Sequence, residues 1–157
     1  MFARTPVRIE RVRKQRVLVH FSERSFLKGS ASGAGCNCLI RTLLACLNDN
    51  NLRCVANISW IRNELQKLFP VGPNIVTQNN FLDLRNHWRS IVDLIGVSAR
   101  HQGCDEQNQI HAENFRVTAV LEEAARVVEE DGDGPIHLFT LNEGNFHFVP
   151  LIRNRER

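Results

Sequence analysis

Residues 28–47 decide the fold, and they read KGSASGAGCNCLIRTLLACL. The first eight residues are glycine, alanine, serine and one lysine, which predicts a loop whose backbone can approach another group closely. From Cys38 onward, leucine and isoleucine recur at positions 39, 40, 43, 44 and 47, which predicts a largely buried helix. Cys38 is therefore expected where a small-residue loop becomes a helix.

Two more helices are predicted downstream. Apolar residues at helical spacing favour one helix from Asn57 to Leu68 and another from Phe81 to Ile95, the latter capped by Asn80 and closed by Gly96. The Ala/Glu-rich segment 122–130 is predicted to be helical as well.

Runs rich in β-branched and aromatic residues predict four strands. They are residues 16–21, 115–120, 136–141 and 146–152, with a turn at 131–135 and a four-residue hairpin loop at 142–145. Helices followed by an antiparallel sheet indicate an α+β domain. The chain is thus expected to form one domain over residues 1–157, with basic, flexible ends at about 1–12 and 153–157.

Composition narrows the function classes. Hydrophobic residues make up 43% and charged residues 24% of the 157 residues, which is typical of a globular protein. The net charge is +3, the excess arginines and lysines lie mainly near the two ends, and there is no tyrosine, which argues against nucleic-acid binding. No apolar run predicts a membrane span, and the start of the chain lacks the apolar stretch of a secretory signal.

The five cysteines are an odd number without disulfide-scaffold spacing, so a reducing, cytoplasmic compartment is expected. Cys36 and Cys38 form C-x-C without a second pair at zinc-finger spacing, so neither a structural metal nor another cofactor is predicted. Cys46 and Cys54 are interpreted as core residues. The chain is expected to be a monomer.

Cys38 is the candidate nucleophile. The positive end of a helix favours a thiolate, and the preceding loop can supply N–H groups to an oxyanion. Such a thiolate needs an imidazole that holds the ion pair and protonates the leaving group. Of six histidines, His147 is favoured because it follows the hairpin loop between Phe146 and Phe148, whereas His87 and His137 are interpreted as structural. Cys36 is the rival nucleophile.

These residues resemble the ovarian-tumour (OTU) family of deubiquitinases. Residues 35–41, GCNCLIR, are similar to that family's nucleophile motif Asp-Gly-Asn-Cys-Leu-Phe-Arg, and residues 145–151, NFHFVPL, to its closing Asn-His-Tyr-type motif. The resemblance implies a papain-like cysteine protease fold, with helices packed on a small antiparallel sheet. It also implies a thiol isopeptidase without cofactors, whose partners are ubiquitin or a ubiquitin-like protein and the proteins modified by it.

The resemblance also assigns roles to residues. Cys38 would attack the carbonyl, the amides of Gly35, Cys36 and Asn37 would form the oxyanion hole, and His147 would transfer the proton. Many family members orient this imidazole with an Asp or Asn two positions after it, but this chain has Val149 there. The third catalytic role is therefore predicted for Asn145.

Asn142 or Glu23 could take the orienting role instead of Asn145. The same catalytic pair could also serve a peptidase, a deamidase or a transglutaminase-type acyl transferase. An inactive ubiquitin-binding module is the alternative of another class. The divergent motif and the small size suggest a pathogen effector or viral protein that acts in the host-cell cytosol.

Overall fold

A computed structural model describes residues 6–12, 16–21, 23–144 and 147–155. The strands in the described part are β1 (Val7–Val12), β2 (Arg16–Phe21), β3 (Arg24–Lys28), β4 (Phe115–Leu121), β5 (Arg126–Gly132), β6 (Ile136–Glu143) and β7 (His147–Arg153). The helices are α1 (Cys38–Asp49), α2 (Ile58–Leu68) and α3 (Leu84–His101). Short 3-10 turns lie at Ala34–Cys36 and Ala112–Asn114.

The seven strands form one sheet in the order β1-β2-β3-β7-β6-β4-β5. Neighbouring strands are antiparallel except β4 and β6, which run parallel. The α+β class is thus confirmed, but two expectations are wrong: three strands precede the helices, and the sheet is larger than predicted and mixed.

Two cores lie on opposite faces of the sheet. The helices pack on one face, where Leu39, Ile91 and Phe148 are buried. The sheet curls so that β2 and β3 cover the other face of β4 to β7, and there Phe21 and Phe26 stack against Phe139 at ring-centroid distances of 5.3 and 4.6 Å. The pairing of β3 with β7 joins the two halves of the sheet.

Most predicted elements are confirmed, including α1, α2 and the strands that became β2, β4, β6 and β7. The third helix has different ends, because Asp83 caps it and it continues through Gly96 to His101. A Cβ on Gly96 would lie 2.1 Å from the Ile110 carbonyl oxygen, so this glycine lets the 110 segment pack on the helix. It does not end the helix.

One further prediction is wrong. The segment 122–130 is not helical: residues 122–125 turn, and β5 then pairs with β4, burying Val127. At the N-terminal end, for which the sequence predicts flexibility, Val7–Val12 forms β1 and pairs with β2 along its whole length. Residues 1–5, 13–15, 22, 145–146 and 156–157 lie outside the described residues.

Candidate active site

Cys38 is the first residue of α1 and is only 4% exposed. Its sulfur accepts a hydrogen bond from the Phe148 amide, with Sγ 3.4 Å from the nitrogen. One turn later, Thr42 donates its hydroxyl to the Phe148 carbonyl oxygen at 3.0 Å. Both backbone groups of Phe148 thus bind the start of α1, which fixes the helix against β7.

This attachment makes His147 a neighbour of Cys38. His147 is the first residue of β7 and directly precedes the Phe148 amide. Standard backbone geometry then places the His147 Cα within about 6 Å of the Cys38 sulfur. The structure therefore places the backbone of the predicted base beside the sulfur of the predicted nucleophile.

The His147 ring lies against the loop that leads to Cys38, which we call the nucleophile loop (residues 29–37). A Cβ built on Gly33 would be 3.8 Å from both Cε1 and Nδ1 of the ring. The small residues of this loop, noted in the sequence, leave room for the imidazole beside the start of α1. The Nδ1–Cε1 edge is thus the edge that faces the nucleophile loop.

The nucleophile loop ends in a tight turn. Gly35 and Cys36 have φ values of +66° and +58°, in the left-handed region that favours glycine. The Cys36 amide donates to the Gly33 carbonyl at 3.0 Å, and the Asn37 amide donates to the Ala34 carbonyl at 3.3 Å. The amides of Cys36 and Asn37, two of the three predicted for the oxyanion hole, are thus already hydrogen-bonded within the turn. Of the predicted set, the Gly35 amide is left as the candidate oxyanion donor.

Arg62 on α2 holds a second turn, residues 77–80, which lies beside the nucleophile loop. Arg62 on α2 is 1% exposed, and its Nη2 donates to the Thr77 carbonyl at 3.0 Å and to Asn80 Oδ1 at 2.9 Å. The turn at residues 77–80 includes Asn79, whose Oδ1 would lie 3.4 Å from a Cβ on Gly35. Burial lowers the pKa of Arg62, while the charge of Cys36 acts in the opposite direction. Sequence reasoning missed Arg62, because nothing in a helix pattern marks a buried arginine.

The predicted orienting residues are placed differently. Asn145 lies outside the described residues, so its role stays a prediction. Asn142 pairs with Phe148 across the hairpin, which puts its side chain on the sheet face opposite to that of His147. Glu23 directly precedes β3, and β3 pairs with the far end of β7, from Leu151 to Arg153. Asn142 and Glu23 are thus not placed to orient His147.

One residue beside His147 escaped the sequence reasoning. Glu143 is the last residue of β6 and pairs directly with His147 on β7. The sequence predicted a hairpin loop at 142–145, which wrongly placed Glu143 in the loop rather than in the strand. The pairing register is needed to see that these two residues are opposite each other.

Cys46 and Cys54 are core residues, as predicted. Cys46 is buried, its thiol donates to the Phe139 carbonyl at 3.2 Å, and burial raises its pKa to about 12. Burial likewise raises the pKa of the Cys54 thiol to about 11. Thiols held protonated in this way are poor nucleophiles. Cys36 is half-buried and lies in the nucleophile loop itself.

The two histidines predicted to be structural, His87 and His137, both make side-chain hydrogen bonds. His87 is 3% exposed, and its ring nitrogens contact the Asp83 amide at 2.9 Å and the Asn74 carbonyl at 3.0 Å. His137 bonds the Thr118 hydroxyl at 2.6 Å, and burial lowers its pKa to about 4, with Arg116 and Arg24 acting in the same direction.

The turn predicted at 131–135 begins later in the structure, because Asp131 and Gly132 are the last residues of β5. Asp131 accepts a hydrogen bond from Trp88 Nε1 at 2.8 Å, which anchors the buried tryptophan of α3 to β5. Within the described ranges, no group of three or more His, Cys, Asp or Glu side chains is arranged to hold a metal ion.

Two cavities lie at opposite ends of the sheet. A cleft of about 390 Å³ runs beside the β6–β7 hairpin and reaches Phe148, whose amide contacts the Cys38 sulfur. A larger cavity of about 490 Å³ is lined by Arg24, Arg116 and His137. It is far from Cys38 along the sheet, so its size alone does not make it the candidate site.

Neither family models, nor curated proteins, nor solved structures gave a match to the chain. In the part of the chain that the structure describes, no helix combines the length and the apolar character needed to cross a membrane.

Proposed function

We propose that this protein is a papain-like thiol isopeptidase that removes ubiquitin or a ubiquitin-like modifier from lysine side chains. The observation that carries the proposal is the contact of Phe148, on β7, with Cys38 at the start of α1. Its amide touches the Cys38 sulfur at 3.4 Å, while the preceding residue is His147. A cysteine at a helix start beside a histidine at a strand start is the arrangement of papain-like hydrolases.

The chemistry follows from these positions. The Cys38 thiolate attacks the carbonyl carbon of the isopeptide bond, and backbone N–H groups at Gly35 and at the start of α1 stabilise the oxyanion. Protonated His147 gives its proton to the lysine nitrogen as the C–N bond breaks, which leaves a thioester on Cys38. His147 then takes a proton from water, which attacks the thioester and releases the carboxylate of the modifier.

The cleft beside the hairpin supports a polypeptide substrate. It is lined by Leu84, Leu121 and Phe148 on its apolar side and by Asn142 and Gly144 at the hairpin. An extended chain tail lying in this cleft would reach the residue whose amide contacts the nucleophile. The small side chains of the nucleophile loop would let such a tail approach the sulfur closely.

Hydrolysis of a fluorogenic ubiquitin conjugate tests the proposal. We expect the wild-type protein to release the fluorophore and Cys38→Ala to release none, whereas Cys46→Ala, a control at a buried thiol, stays active. A wild type without activity, or activity that survives in Cys38→Ala, contradicts the proposal. Mass spectrometry of the products separates chain cleavage from conversion of a glutamine amide to an acid, which would indicate a deamidase.

A further inference from the structure

The proposed mechanism needs a group that orients the imidazole of His147. A neutral imidazole has two tautomers, and an acceptor at one ring nitrogen selects the tautomer and the ring angle for the other nitrogen. The sequence predicts Asn145 for this role. The described residues around His147 suggest a different side chain.

Glu143 faces His147 across the β6–β7 hairpin. The two residues are direct partners in the antiparallel register. Directly opposite residues in such a pair have side chains on the same face and Cβ atoms about 4.5–5.5 Å apart. A glutamate at this distance is long enough to reach the far nitrogen of the imidazole.

The other polar residues of the hairpin are used elsewhere. With its amide nitrogen turned to donate, Asn142 bonds the carbonyl oxygens of Gly144 at 3.0 Å and of His147 at 3.2 Å, which closes the hairpin backbone. Val149 shares the face of His147 but has no polar atom in its side chain. Among the described residues on that face of the hairpin, Glu143 is thus the carboxylate opposite the ring.

A lysine holds Glu143 in this region. Lys28, the last residue of β3, lies with Nζ 3.3 Å from Glu143 Oε1 and 2.7 Å from Glu122 Oε1. Burial lowers the pKa of Lys28, but its contacts with Glu122 and Glu143 outweigh burial and raise the pKa above the usual value. The lysine therefore stays charged and holds the Glu143 carboxylate through Oε1, which leaves Oε2 to accept a further hydrogen bond.

We propose that Glu143 is the positioning residue of His147: its carboxylate contacts Lys28 in the structure, and rotation of the side chain would let Oε2 accept a hydrogen bond from Nε2–H, so that Nδ1 faces the nucleophile loop. The ring edge that lies against Gly33 carries Nδ1, which agrees with this assignment of the two nitrogens. The inference rests on the proposed function for its catalytic meaning. The hydrogen bond itself can be tested without any substrate.

Kinetics of three variants test the catalytic part. Glu143→Ala is expected to lower kcat about 10–100-fold, the usual cost of removing a partner that orients a functional histidine, with KM within about twofold of wild type. Glu143→Gln is expected to lose less, because its amide oxygen can still accept the hydrogen bond. Glu122→Gln is the matched control, since it removes the other carboxylate bound to Lys28 and should leave kcat nearly unchanged.

Nitrogen–proton correlation NMR of the histidine side chains tests the hydrogen bond directly. We expect His147 of the wild type to show one tautomer with Nε2 protonated, and Glu143→Ala to show a mixture, while Glu122→Gln keeps the wild-type spectrum. An unchanged His147 spectrum in Glu143→Ala would overturn the inference. If Glu143→Ala does not fold, Glu143→Leu, which keeps the side-chain length as far as Cδ and removes the acceptor, gives the same comparison.

The two measurements separate the two proposals. A wild type that does not cleave ubiquitin conjugates, with a His147 tautomer that still depends on Glu143, refutes the proposed function and retains the positioning role. Normal activity together with a tautomer that ignores Glu143 refutes the positioning role alone.

Discussion

Replacing Gly35 with alanine probes the turn that precedes Cys38, the proposed nucleophile. Gly35 has a φ of +66°, which an L-residue adopts at a cost of roughly 1–2 kcal/mol. The added Cβ would also lie 2.9 Å from Nδ2 of Asn37, the residue directly before Cys38. Asn37 Oδ1 is buried without a hydrogen-bond partner among the described residues, so its side chain has little space to move.

These two effects add. We expect Gly35→Ala to lower the free energy of unfolding by about 2–3 kcal/mol, of which about 1 kcal/mol comes from moving the Asn37 side chain. Gly103→Ala is the matched control, because Gly103 has a φ of +77° and no atom within 4 Å of the added Cβ. It should lose only the backbone contribution, about 1–2 kcal/mol.

Urea unfolding of both variants measures this difference, and the rate at which iodoacetamide alkylates Cys38 in the folded protein measures the effect on the nucleophile. We expect about a tenfold change in alkylation rate for Gly35→Ala, because displacement of Asn37 moves the start of α1, and no change for Gly103→Ala. Equal stability losses in the two variants, with the same Cys38 rate as wild type, would refute the claim that Gly35 sets the nucleophile geometry.

Two further predictions concern the fold. Gly96→Ala places a Cβ 2.1 Å from the Ile110 carbonyl oxygen inside the packed face of α3. We therefore expect the free energy of unfolding, measured with urea, to fall by about 3 kcal/mol or more. A fall of less than about 1 kcal/mol would contradict the packing of the 110 segment on the helix. His137 has its pKa lowered to about 4 from 6.5, so between these pH values the unfolded chain binds more protons at this residue and stability should rise with pH. His137→Gln cannot titrate and should flatten this part of a melting temperature against pH curve, and an unchanged slope would show that other groups cause it.

The sequence predicted the local structure around Cys38 well because the signals there are local. A run of small residues followed by apolar residues at helical spacing is enough to place Cys38 at a helix start. The position of His147 beside Cys38 needs the packing of α1 on β7, which the sequence indicated only through the family resemblance.

Errors arose where distant contacts override local patterns. Asn80 looked like a helix cap, but its side chain accepts from the Thr77 amide and from Arg62 and thereby closes a turn, so Asp83 caps α3 instead. The Ala/Glu-rich segment after β4 favoured a helix by propensity, yet pairing with β4 makes residues 126–132 a strand.

The strand partner of His147 shows a third kind of limit. A loop at 142–145 or a loop that begins after Glu143 fits the same sequence, and only the second puts Glu143 opposite His147. Because side chains alternate between the two faces, a shift of one residue in this register moves each candidate to the other face of the sheet. Motif spacing alone cannot make that choice.

The central claim is that Cys38 is a nucleophile that recognises the end of a ubiquitin-type modifier. Ubiquitin carrying a thiol-reactive electrophile in place of its C-terminal carboxylate tests it most directly, with the adduct located by mass spectrometry of peptides. We predict one covalent adduct on Cys38 of the folded wild type, and none on Cys36 or on the buried Cys46. Absence of any adduct, or an adduct on Cys36 that persists in Cys38→Ala, would contradict the account.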